Sequence, residues 1–245
     1  MKTVLRSWCA WSPGLETAEQ WTAWAKAPQP LASEGVPDAR FLPAMLRRRC
    51  TPLSKILLKV ARDGCNEAER SQARTVFASR HGSINESIGL LENVARGERI
   101  SPATFSHTVH NAQAGLFSIA MGNRQASSSL AGREDSFGSG LLEALGHLER
   151  EPERPVLFVM GDVPLDPVFA SLLDEPACAY GVALLLARSE GKDEESFEVA
   201  LERPPPDAKR LAWPPAAEFL RLWIAGSTSF SISTSQHLWR FTRQE

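Results

Sequence analysis

The feature that most constrains this chain is the alternation of strand-like and helix-like segments along its first three quarters. Thr3 to Trp11 reads as a strand, and a short helix bearing Trp21 and Trp24 follows. Thr51-Pro52 is a strong helix start, with threonine as N-cap and proline in the first turn. Leu53, Ile56, Leu57 and Val60 then share one face, and Gly64 stands where a C′ residue belongs. TVFAS, Thr75 to Ser79, is a short strand. The Ser83/Glu86 spacing predicts a capping box for a helix that carries Ile84, Ile88, Leu91 and Val94 and ends at Gly97. Ser101-Pro102 opens a helical region reaching Gly122, apolar on most sides and expected to be buried. A helix from about Ser136 to Leu148 precedes two strands, RPVLFVMGD and CAYGVALLLARS. The order β-α-β-α-α-β-α-β-β indicates an α/β sandwich around a mixed sheet.

After Arg188 the composition changes. SEGKDEES is a charged loop and ERPPPDAKRLAWPP a proline-rich connector. Beside them lie an alternating strand (Phe197, Val199, Leu201), a helix with Phe219, Leu220 and Trp223, and a terminal strand near His237 to Phe241. A tail of about 55 residues is marginal for a core of its own. The expectation is therefore one domain over 1–245, with a core over 1–188 and an extension over 189–245. With 43% hydrophobic residues the chain can fill such a core.

A net charge of −2 excludes a general nucleic-acid binder. The four cysteines, Cys9, Cys50, Cys65 and Cys178, form no C-x-x-C pair and suit reduced thiols in a cytoplasmic protein. The start, MKTVLRSWCAW, carries no signal-peptide core, and no window reaches the roughly 18 apolar residues of a transmembrane span.

The stretch with the most chemistry in it is SSSLAGREDSFGSGLLEAL, Ser127 to Leu145: a strand-prone run, a glycine turn and a helix. A helix N-terminus favours negative charge, which is why a cysteine placed there becomes nucleophilic. Here the turn presents Glu134 and Asp135, acidic residues of the kind that also simply cap helices. SFGSG is not a G-x-S-x-G elbow, and Gly138 and Gly140 lack the third glycine of a dinucleotide fingerprint. His107 and His110 form an H-x-x-H with no evident third ligand, so local polar packing outweighs a metal and no cofactor is expected. Arg47, Arg48 and Arg49 are either solvated helix-end charge or a docking point for an acidic carrier protein.

The segment SHTVHNAQAGLFSIAMGNRQASSSLAGREDSFGSGLLEAL resembles the central part of the β-ketoacyl-acyl-carrier-protein synthases. Asn111, Ala114, Gly115, Gly122, Arg124, Ser136 and Glu143 fall into that register, which places Glu134 on the nucleophilic cysteine. TPLSKILLKVA and TVFASRHGSINESIGLLENV resemble preceding parts of the same fold. The chain is most similar to short ketosynthase-like chain-length factors of aryl polyene and xanthomonadin-type pathways, well over residues 3 to 188 and weakly in the tail. The resemblance implies half of a thiolase-like fold with a buried nucleophile-type helix, stopping before the half that supplies two catalytic histidines.

It implies no catalytic residue in this chain. It also implies a heteromer with a cysteine-bearing ketosynthase and an acyl carrier protein as further partner. Ser127, Ser128, Ser129, Leu130 and Ala131 would form the dimer strand. Val109, Ala112 and Leu116, an i, i+3, i+7 stripe, with Gln113 and Phe117 beside it, would cap the partner's acyl tunnel; their bland alternative is the core. Two other readings stand beside this one. Glu134 could serve as a base or in malonyl decarboxylation, and the chain could be a carrier-protein scaffold recruiting through Arg47 to Arg49.

Overall fold

A computed structural model describes residues 2–173, 175–189, 195–207 and 211–244. Most of the charged loop after Arg188, and part of the proline-rich connector, lie outside the described residues. The chain starts with β1 (Thr3–Trp11) and α1 (Ala18–Lys26), whose Thr17 and Gln20 close a capping box. The short α2 (Ala44–Arg47) leads into α3 (Pro52–Asp63), where the Thr51 side chain accepts from Ser54 N as its spacing predicts. Then follow α4 (Glu67–Gln72), β2 (Arg74–Ala78), α5 (Ile84–Ala95), α6 (Pro102–Phe105), α7 (Ala112–Met121) and β3 (Ser127–Leu130). The remainder is α8 (Ser136–Arg150), β4 (Val156–Asp162), β5 (Tyr180–Arg188), β6 (Ser196–Glu202), α9 (Pro215–Ile224), β7 (Ser229–Ser233) and β8 (Leu238–Gln244).

Eight strands form one mixed sheet in the order β3-β2-β4-β5-β1-β6-β8-β7. β3, β2 and β4 run parallel, and every later pairing is antiparallel. β4 and β5 are buried along their length except at Arg188, so both sheet faces must be covered. On one face α3 and α7 pack Leu53, Ile56, Leu57, Val60 and Phe117 against Phe77, Leu157 and Val159. On the other, α8, α1 and α9 bring Leu141, Trp21, Phe219 and Trp223 onto Val76, Phe158 and Leu184. The tail extends the same sheet, and Phe219 of α9 makes ring contacts with Phe137, Phe197, Phe230 and Phe241.

Four local expectations need correction. Gly64 is not left-handed (φ −76°). A Cβ there would lie 2.9 Å from Val60 O and 3.0 Å from the Ala183 Cβ, so close approach to the sheet explains the glycine. Ser83 forms no capping box; its hydroxyl instead accepts from Gln113 Nε2 at 3.3 Å. The helical region opened by Ser101 breaks at residues 106–111, where the Ser106 and Thr108 hydroxyls return to Ala103 O and Phe105 O. Its burial is also partial, because Ile119 is 72% exposed.

Candidate functional site

The strand–turn–helix between β3 and α8 has the predicted form. A 3-10 turn, Arg133–Asp135, links Gly132 to the long helix. Arg133 sits at φ +56°, the only non-glycine among the described residues with positive φ, so strain is concentrated at this turn. Ser136 braces it: its hydroxyl donates to Arg133 O at 2.6 Å and accepts from Gly132 N at 3.0 Å.

The two acidic residues do not cap α8. Asp135 occupies the N-cap but makes no side-chain bond to the helix. It is buried, and its carboxylate accepts from Thr234 Oγ1 at 2.7 Å and from the Trp239 indole Nε1–H at 2.8 Å, while His237 Nδ1 lies 2.8 Å from Oδ2. Glu134, half-buried, accepts from Ser235 N at 2.9 Å. Every one of these partners comes from the β7–β8 connection and the start of β8. The glycine pattern serves the same packing. A Cβ on Gly138 would fall 2.1 Å from the Trp239 ring and one on Gly140 2.6 Å from Phe158, so both glycines are needed for close approach.

Glu134 borders a cavity of about 340 Å³ whose other walls include Arg80, Glu175, Trp213 and the prolines 204–206. Arg80 and His81 both pair with Glu175. The backbone N–H groups of Arg80 and His81, with the Ser79 hydroxyl, donate to Asp162 at 3.0, 3.1 and 2.6 Å. Burial pushes the Asp162 carboxyl up even against those three bonds, and the Tyr180 phenol is raised by burial beside it. Of this loop, Arg80 lines the cavity together with Glu134.

No described cysteine takes a nucleophile's place. All four are unpaired, and burial is the first cause raising each thiol: Cys9 and Cys65 to about 11, Cys178 to about 12, and Cys50 upward as well. No group of three or more His, Cys, Asp or Glu side chains able to hold a metal occurs among the described residues. His110 Nε2 meets Leu130 O at 3.0 Å, a local polar contact. No helix among the described residues is long and apolar enough to cross a membrane.

The other predicted residues fall in three places. Ser127, Ser128, Ser129 and Leu130 form β3, hydrogen-bonded to β2 on one side and lying at the sheet's edge on the other; Ala131 follows it. The Ser128 hydroxyl is taken by Glu143 and His147 of α8. Val109 lies outside α7 and is exposed, so the Val109/Ala112/Leu116 stripe is not a single helical face. Gln113, Leu116 and Phe117 are buried, with Phe117 against Phe77, while Ala112 is half-buried. Arg47 is half-buried, Arg48 and Arg49 are exposed on and after α2, and none of the three lines the cavity. Sequence reading missed Asp135 as the hub, because its partners lie about a hundred residues on and no spacing rule links them.

With that geometry in hand, comparison with known proteins is direct. The family model described as beta-ketoacyl synthase, N-terminal domain, matches residues 21–242, and the chain belongs to that family. The match includes the tail, which by sequence resembled the family only weakly. No curated protein matches the sequence significantly. Among solved structures, the chain is similar to one from a Xenorhabdus doucetiae ketosynthase in complex with its chain length factor. The two share 28% identity at TM-score 0.84, over 99% of this chain and 100% of that one. It also matches the ishigamide ketosynthase/chain length factor (12% identity, TM-score 0.69, 100% and 99% covered). A third match is a type II polyketide synthase acyl-carrier protein in complex with its ketosynthase bound to the hexaketide (10%, TM-score 0.71, 99% of each chain). The last two likenesses establish the thiolase-like ketosynthase fold alone.

Proposed function

We propose that this member of the β-ketoacyl synthase family is a non-catalytic subunit of the chain-length-factor type. It pairs with a cysteine-bearing ketosynthase and shapes the pocket in which a polyene or polyketide-like acyl chain grows on acyl carrier protein in the cytoplasm. The observation that carries this reading is the occupied turn. Asp135 is buried and engaged by Thr234, His237 and Trp239, and Glu134 stands where the family's nucleophile is expected. The four thiols, Cys9 half-buried and the other three buried, offer no substitute, because a nucleophilic cysteine requires thiolate at working pH.

Pairing is supported by the open edge of β3, which is hydrogen-bonded to β2 on one side only, and by the exposed Ile119 of α7 and Leu142 of α8, two helices that pack on β3. A partner strand added there would continue the sheet across two chains. Val109, Ala112, Gln113, Leu116 and Phe117 would then act from beneath that seam, as tunnel caps of the partner. Co-expression with the cysteine-bearing ketosynthase of its host is the test. A stable heteromer is expected; a monodisperse monomer indifferent to that ketosynthase would end the proposal.

A second reading has one observation in its favour. Glu134 faces a cavity of about 340 Å³, large enough for a small ligand, so it could act there as a base or in malonyl decarboxylation. Arg47, Arg48 and Arg49 remain the candidate dock for acyl carrier protein, tested by charge reversal and carrier-protein binding.

A further inference from the structure

The cavity beside Glu134 has a lining that selects its occupant by charge. Its charged side chains, among the described residues, are Arg80, Glu134 and Glu175. Arg80 and His81 both pair with Glu175, the guanidinium at 2.9 Å, so that carboxylate is already matched. Glu134 is not. Its Oε2 accepts from Ser235 N at 2.9 Å, and Oε1 has no hydrogen-bond partner among the described residues. The described lining therefore carries one uncompensated negative charge, on a half-buried carboxylate.

Much of the remaining lining withholds donors. Six of the described lining residues are prolines, Pro176, Pro204, Pro205, Pro206, Pro214 and Pro215, and proline has no backbone N–H to offer a ligand. Those positions supply apolar ring surface and carbonyl acceptors. Trp213 adds an indole, set edge-to-face against Trp24 with ring centroids 5.3 Å apart. An indole attracts organic cations through its π face, and a carboxylate nearby reinforces the preference. A ligand carboxylate or phosphate would meet Glu134 as like charge and find no N–H at the six prolines to hold it. The volume of about 340 Å³ falls at the lower end of small-molecule sites.

We infer that this cavity is a binding site for a small organic ammonium ion with an apolar body. The ammonium sits on Glu134 Oε1, and the body lies against Trp213 and the prolines. The inference is independent of the pairing reading. It shares Glu134 with the second reading but assigns binding there without chemistry, and a malonyl carboxylate is of the wrong charge for it.

The experiment titrates the full, isotope-labelled chain with phenethylamine and, separately, with hydrocinnamate, a carboxylate of similar size and shape. Calorimetry gives the affinity, and nuclear magnetic resonance gives the place. Saturable binding of the amine is expected, with a Kd on the order of 1 mM for a ligand of about ten non-hydrogen atoms. The Ser235 amide and the Trp213 indole signals should shift, and hydrocinnamate should not bind. Glu134→Gln keeps an acceptor for Ser235 N while removing the charge, so the fold should persist and amine affinity should fall about tenfold. Unchanged amine affinity in that variant would overturn the site. So would equal binding of the carboxylate, binding that leaves Ser235 and Trp213 unmoved, or no saturable binding of the amine. None of these results bears on assembly with the ketosynthase or on turnover, so failure here is distinct from failure of either reading above.

Discussion

The indole Nε1 of Trp239 donates to Asp135 Oδ1 at 2.8 Å, joining the last strand of the chain to the turn before α8 across 104 residues of sequence. The bond fixes the tail over the turn ahead of α8, and it makes that turn a structural joint. Replacing Asp135 by Ala leaves the buried Trp239 indole donor short of an acceptor, while the Thr234 hydroxyl can still donate to His237 O at 3.1 Å. A loss of this kind costs about 1–3 kcal/mol per buried group, so we expect a total of about 2 kcal/mol and a drop in Tm of about 4–8 °C. Thermal denaturation checks it. His237, more exposed, should contribute little when replaced by Ala.

Gly138→Ala tests the same joint by the opposite route. Alanine favours the helix by about 1 kcal/mol, but the new methyl would fall 2.1 Å from the Trp239 ring. Overpacking costs about 1–3 kcal/mol or more. Forced displacement of a buried indole belongs at the upper end, so the net change should be a loss of about 2 kcal/mol. In a Trp239→Phe background the penalty should shrink, and urea denaturation of the four proteins would measure the coupling.

The thiols provide a test against pH. Cys9 and Cys65 are raised to about 11 and Cys178 to about 12, so at pH 8 they are protonated in the native protein. An exposed thiol near 8.5 is roughly one quarter thiolate there. Native alkylation by iodoacetamide should therefore run at least about a hundredfold slower than in urea. It should accelerate about tenfold per pH unit upward, levelling only near pH 11. A single fast-reacting cysteine at pH 7, followed by peptide mapping, would contradict the account.

Glu134→Ala separates subunit from enzyme. A positioning role predicts product formation by the complex within about threefold of wild type, since the Glu134 carboxylate accepts from Ser235 N in the tail. A general base contributes about 10²–10⁴-fold, so near-abolition of turnover with the complex still assembled would favour the second reading.

Much of this fold could be read from the chain because its strands are long and apolar. β1, β4 and β5 follow from their runs, and α3 from Thr51-Pro52 and its stripe. α8 follows from the turn ahead of it. β7 was overlooked because SFSIS is short and serine-rich, although Phe230 and Ile232 alternate inward as a strand requires. The break before α7 was hidden by Ser106 and Thr108, whose hydroxyls compete for backbone carbonyls without altering the apolar pattern. At the site, the turn was legible and its wiring was not. Glu134 and Asp135 look alike as first-turn acids, and only the tertiary placement of Thr234, His237 and Trp239 makes one of them a buried hub.

Intact-mass spectrometry of the co-purified complex during turnover with a labelled acyl carrier protein tests the central claim most directly. It should show two different chains, with the acyl adduct on the partner and this chain at its unmodified mass. An adduct on this chain, or its appearance without any partner, would contradict it.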